Sequence, residues 1–260
     1  MTDEDEDMKF KENKGIKTSK TTYVVEKLLG EGGFGAVYRV HDEKDTTKLY
    51  AMKVERKKDD RKDSKLKMEI AILKLVSADK SHFTAIIDRG KREEDGGYYF
   101  IVMQLVGKSL ADLKAKRKEK VFTLPCGLSA SQQCLEACQD LHKYGFIHRD
   151  LKPANYACGT GDKKRVGTVK FASLACHKSI ELGSKDDCES WFYLLMDGQH
   201  FEKISCANEL QLIMKYIDGL RYYDKVDYNY IYDVLKVAAA TAGGSLDDPH
   251  DWEKEKDDEE

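Results

Sequence analysis

Apolar and polar positions follow two rhythms along the chain, and the change between them falls near residue 105. Before it, residues 36–40 read Ala-Val-Tyr-Arg-Val and alternate with period two, as a half-buried strand does. Residues 50–54 and 98–105 are short apolar runs, the second preceded by Gly96 and Gly97, and both predict strands. One helix interrupts them, because Leu66, Ile70 and Leu73 recur at helical spacing. Beyond Gly107 the period lengthens: a basic helix follows Ser109, and residues 212–217 and 230–236 form helices with one apolar face. The pattern predicts a strand-rich first part with one helix, then a mainly helical second part. There is no internal repeat, and no run of 18 apolar residues of the kind that spans a membrane.

Candidate chemistry begins between the first strands. Residues 30–37, Gly30-Glu31-Gly32-Gly33-Phe34-Gly35-Ala36-Val37, read G-x-G-x-x-G-x-V, where absent side chains let backbone N–H groups approach polyphosphate. A strand follows this loop, whereas a dinucleotide-binding turn needs a helix there. In the strand at 50–54 the only charge is Lys53, and a lysine in a strand core wants a partner. Glu69, on the helix marked by Leu66, Ile70 and Leu73, supplies one. A Lys53–Glu69 ion pair would aim the lysine at the α- and β-phosphates of a nucleotide.

Residues 148–155 read His-Arg-Asp-Leu-Lys-Pro-Ala-Asn and set an acid, two bases and an amide at the spacing phosphoryl transfer requires. In that pattern Asp150 accepts the proton of a hydroxyl nucleophile, Lys152 steadies the transferring group, and Asn155 holds a metal ion.

With these elements in this order the chain resembles a protein kinase, and residues past the loop point to the casein kinase I family near its tau-tubulin kinase-like branch. Residues 167–173 resemble that family's substitute for the common A-P-E element, residues 186–192 its central buried helix, and residues 251–254 its domain end. The resemblance runs from about Tyr23 to Lys254. It implies an α+β, two-lobed fold: a small five-stranded lobe with one helix at 23–106, then a larger mainly helical lobe at 107–242 with deletions. Residues 1–22 and 243–260 are expected to be solvated tails. The implied activity is transfer of the ATP γ-phosphate to serine or threonine of protein substrates, with Mg2+ as the metal. Lys152 favours this over tyrosine kinases. The implied ATP site comprises Leu29, Gly30 to Gly35, Val37, Ala51, Lys53, Glu69, Met103 and Leu105. Met103 would back the adenine pocket, and backbone near Leu105 would bond the base. Asp150, Lys152 and Asn155 are the catalytic set, with Asn155 also on metal. Asp187 would brace the catalytic loop, and Thr168 would orient Asp150.

Two departures bear on activity. No D-F-G occurs in the chain, although its aspartate grips the magnesium in kinases. Only residues 156–166 separate Asn155 from Gly167, and two short strands around a turn at 158–162 exhaust that length. A second block is missing after Asp197, where the family carries more helix. Such losses are expected to expose apolar surface near Trp191 and Phe192. Three readings stay open: an active kinase, a kinase-shaped binding module, and a splice form or imperfect gene model of an ordinary kinase.

Composition narrows the classes further. A formal charge of −3 with 35% charged residues gives no field favouring nucleic acid or an anionic membrane. Seven scattered cysteines predict reduced thiols inside the cell, and Cys134 and Cys138 on one helix face predict packing rather than metal. The acidic start predicts no secretory signal, so a cytoplasmic location is expected, with nuclear access open.

Overall fold

The computed structural model describes residues 10–32, 35–57, 64–76, 82–94, 97–159, 166–169, 182–197 and 204–257. The chain divides into two compact units between Val106 and Gly107.

The first unit is an antiparallel sheet of β1 (Gly15–Lys17), β2 (Thr22–Gly32), β3 (Gly35–Asp42), β4 (Asp45–Arg56), β5 (Ile86–Arg92) and β6 (Tyr98–Gln104), with α1 (Lys65–Val76). Strand order is β1-β2-β3-β4-β6-β5, six strands where the sequence predicts five. The extra strand comes from the segment expected to be a solvated tail. β1 pairs with β2, Ile16 is buried, and Phe10 lies against Tyr38 and Tyr98 with ring centroids 5.3 and 5.2 Å away. The Phe10 backbone N–H also donates to the Tyr38 hydroxyl at 3.1 Å. At three residues, β1 is too short for a period to be read, and its pairing with β2 is what reveals it.

Period-two alternation gives the sheet two different faces. Tyr38, Val40, Met52, Val54, Phe100 and Val102 pack on one side with Phe10 and Ile16. On the alternate positions, Ala51 is opposite Met103 and Lys53 opposite Val37 and Ile101. α1 packs on β6 and buries Leu66, Glu69, Ile72, Leu73 and Val76. Its start is held by Glu55 of β4, whose carboxylate accepts from Leu66 N at 2.5 Å, Lys65 N at 3.2 Å and Ser64 Oγ at 3.0 Å. An anion on unpaired N–H groups at a helix start is favourable through both hydrogen bonding and the helix dipole.

The second unit contains α2 (Leu110–Lys116), α3 (Leu124–Lys143), β7 (Tyr156–Cys158), β8 (Val166–Val169), α4 (Ser184–Asp197), α5 (Ala207–Gly219), α6 (Tyr228–Thr241) and α7 (Asp251–Asp257). α3 is its axis, burying Leu128, Cys134, Leu135, Ala137 and Leu141 and packing on α4 and α6. β7 and β8 form the antiparallel hairpin predicted after Asn155. Val166–Val169 therefore sits in a strand, with Thr168 opposite Ala157. The Thr168 side chain and Lys170 lie outside the described residues.

Two expectations are corrected here. Trp191 and Phe192 are buried, at 0% and 7% exposure, and the Trp191 Nε1–H donates to Ser131 O at 2.7 Å. Tyr193 on the same helix takes the solvent instead, at 63% exposure. The C-terminal segment is also not wholly a solvated tail. Asp251 accepts from Thr123 N at 2.8 Å and Thr123 Oγ1 at 2.7 Å, so it binds the start of α3 through the residue that should cap it. Trp252 meets Phe122 at 5.3 Å and stacks on His250 at 4.4 Å.

Candidate functional site

In the first unit, Lys53 Nζ stands 2.5 Å from Glu69 Oε2, and both side chains are almost fully buried, at 5% and 6% exposure. The pair anticipated from the sequence is thus present. Its geometry follows from register: β4 places Lys53 on the face that α1 covers, and the Glu55 cap fixes where α1 begins. Burial pushes the Glu69 carboxyl up, with Lys53 pulling it back. Ala51 and Met103 face each other on adjacent strands, fully buried, and Thr84 Oγ1 reaches Met103 Sδ at 3.7 Å. Leu105 follows the end of β6, and Leu29 is partly exposed in β2.

The glycine turn joins β2 to β3, strand to strand as predicted, with Gly30 opposite Val37, Glu31 opposite Ala36 and Gly32 opposite Gly35. Gly33 and Phe34 lie outside the described residues. Two of its glycines differ in what they require. Gly35 has φ 103°, and a Cβ there would stand 2.0 Å from Val54 O. A Cβ on Gly30 would meet nothing within 4 Å, which leaves the open backbone that a phosphate needs.

In the second unit, Asp150, Lys152 and Asn155 come together. Asp150 Oδ2 lies 2.9 Å from Lys152 Nζ and 3.0 Å from Asn155 Nδ2, which also donates to Asp150 O at 2.7 Å. Asp150 and Lys152 are about half exposed, so their attraction adds little to stability. The loop carrying them is held from below. Arg149 adopts φ 67°, a left-handed conformation that costs roughly 1–3 kcal/mol and persists only where neighbours enforce it. Asp187, buried at the start of α4, is the enforcing neighbour. Its Oδ2 accepts from His148 N at 2.5 Å and its Oδ1 from Arg149 N at 2.8 Å, the bracing implied by the sequence resemblance. His142 Nε2 adds a bond to Oδ2 at 2.9 Å. Burial alone would push the Asp187 carboxyl up; the hydrogen bond from His142 and the two loop N–H groups outweigh it, and the group lies below its usual value. His148 is held below its usual value by burial, against the pull of Asp187.

Sequence reading missed Glu55, His142 and Tyr228. The motif around His142, Leu141-His142 ahead of residues 148–155, was the one available signal, since α3 must end close to the loop it feeds. Cys138, His142 and Asp187 offer three ligand atoms within 4.8 Å of one another. His142 and Asp187 are already bonded to each other and Asp187 also to the loop, and burial holds the Cys138 thiol well above its usual value, so the set reads as a hydrogen-bonded core.

The donors for magnesium fit less well. Asn155 turns its amide nitrogen into Asp150, leaving one oxygen for a cation, and the sequence holds no D-F-G aspartate. Magnesium is usually held by one or two carboxylates with substrate phosphates. Asp162, the nearest acidic residue in the following turn, lies outside the described residues.

Residues 23–179 match the family model for the protein kinase domain. A Caenorhabditis elegans protein named as a serine/threonine-protein kinase is 31% identical over 95% of this chain and 78% of its own length. That alignment extends over 298 positions, more than the chain has residues, so the relative carries internal segments this chain lacks. Serine/threonine-protein kinase spe-6 of the same species is 24% identical over 91% of this chain and 77% of its own length. An Encephalitozoon cuniculi protein named as a casein kinase I homolog is 30% identical over 67% of this chain and 61% of its own. A turn of glycines between strands, a lysine salt-bridged to a helix glutamate, and an aspartate loop pinned from a buried helix agree with that match: the chain belongs to the protein kinase domain family and is by family a serine/threonine-protein kinase.

Proposed function

We propose that this chain transfers the γ-phosphoryl group of ATP to serine or threonine hydroxyls of proteins, with the character of the casein kinase I family and its tau-tubulin kinase-like branch. The observation that carries the proposal is the Asp150 carboxylate held by Lys152 and Asn155 on a loop that Asp187 forces into one conformation. Because Oδ2 is engaged, Oδ1 of Asp150 takes the acceptor's proton, and Lys152 offsets charge on the group in transit. Lys53, oriented by Glu69, holds phosphate oxygens, and the open backbone at Gly30 admits them. Bound ATP supplies the phosphoryl group. The family assignment to casein kinase I is supported by residues 167–173 and 186–192 and by the Encephalitozoon cuniculi relative.

Labelled γ-phosphate transfer to a mixed serine and threonine protein acceptor tests this, with Asp150→Asn as control. Transfer by the wild type and its loss in the variant are expected. ATP binding without any transfer would instead favour a nucleotide-binding module of kinase shape, a reading motivated by the missing D-F-G.

A further inference from the structure

The bond from His142 to Asp187 fixes more than a contact, because it constrains every proton in a line of buried groups. Asp187 is held ionised and can only accept, so the Nε2 it meets must carry a hydrogen. Cys138 Sγ, 3.4 Å from the same nitrogen, is a weaker second acceptor. In the neutral ring Nδ1 then presents a lone pair, and whatever faces it must donate. The Tyr228 hydroxyl, on the first residue of α6, is the group bonded to Nδ1. Burial, together with Cys138 and Cys188, pushes the Tyr228 hydroxyl well above its usual value, which keeps it a donor. Cys188 Sγ lies 3.9 Å from the phenol oxygen and completes the line from its far end.

We propose that Tyr228 is a positioning residue for the catalytic loop. Its hydroxyl anchors Nδ1 of His142 and so holds the ring that presents Nε2–H to Asp187, which in turn holds His148 N and Arg149 N and so the setting of Asp150. The line starts on α4 at Cys188, passes through α6 and α3, and returns to α4 at Asp187, tying three helices to one loop. A merely packed tyrosine would need only its ring, which lies 6.1 Å from the His142 ring at 50°. Its hydroxyl would then be dispensable. A hydroxyl that anchors the ring is not, in the way that partners of a metal-bound histidine set its orientation.

This proposal rests on the kinase reading only for its rate prediction, and the test separates the two. Full-length chain with 15N-labelled histidine is compared with Tyr228→Phe, which keeps the ring. In the wild type His142 should be the Nε2–H tautomer with a hydrogen-bonded Nδ1, and in the variant the Nδ1 signal should move to that of an unbonded nitrogen. Amide exchange at His148 and Arg149 should rise about fivefold, the equivalent of one ordinary hydrogen bond. The turnover number should fall by about the same factor with the KM for ATP unchanged. If the wild type transfers no phosphate, the kinase reading fails while the Nδ1 signal and exchange still decide the role of Tyr228. An unchanged Nδ1 signal and unchanged exchange in Tyr228→Phe overturn the proposal. Should the variant fail to fold, an imidazolium or an Nδ1–H form of His142 in the wild type overturns it alone.

Discussion

The two units hold their key charges in opposite ways. In the first, Lys53 and Glu69 are sealed from water and meet each other at 2.5 Å. In the second, Asp150 and Lys152 stand half in solvent, and a buried carboxylate, Asp187, stands one step behind them. A buried pair has little choice of geometry but is expensive to disturb; an exposed pair is cheap to disturb and relies on backbone support for its aim. The contrast teaches that stability and chemistry are separable in the second unit and fused in the first.

The largest expected effect tests that separation. Asp150→Asn should cut phosphoryl transfer roughly a thousandfold, within the range for loss of a general base, while leaving the urea midpoint almost unmoved. A large loss of stability would erase the contrast. In the first unit the reverse holds: Lys53→Met strands the Glu69 carboxylate and should cost about 3–5 kcal/mol in urea unfolding. The double variant Lys53→Met/Glu69→Leu should recover most of that, and failure to recover would mean that packing, not charge, carries the site.

Gly35→Ala sharpens the picture on backbone grounds. Its Cβ meets Val54 O at 2.0 Å with φ at 103°, and about 2 kcal/mol should be lost without a change in denaturant slope. The smallest effect is in acid. Asp187 titrates below its unfolded value of 3.8, so its contribution is complete above that value and is lost as pH falls through the lower folded one. Glu69 has the opposite sign: its folded value lies above 4.5, so its contribution is present below 4.5 and fades as pH rises through the folded value. Urea titrations at stepped pH should show the acid limb of Asp187 vanish in Asp187→Asn and persist in Glu69→Gln.

Much of this arrangement was legible in residue order. Period two in residues 36–40, the short apolar run at 50–54 and helical spacing at Leu66, Ile70 and Leu73 placed Lys53 and Glu69 on facing elements. What it missed were contacts closed over long separations. Phe10 against Tyr98, Thr123 on Asp251 and Tyr228 on His142 join residues with no shared local pattern, so the segments at both ends looked like tails. Glu55 also escaped notice, since a strand glutamate becomes a helix cap only once the helix start is brought to it.

By itself, then, the sequence determined the element types, the glycine turn between strands and the membership of the 148–155 set, all properties of neighbours within a few residues. Tertiary structure alone decided the sixth strand, the burial of Trp191 and the Tyr228 bond to His142. Each of these depends on hydrogen bonds and burial between segments distant in the chain, where desolvation makes one partner obligatory and no local propensity can name it.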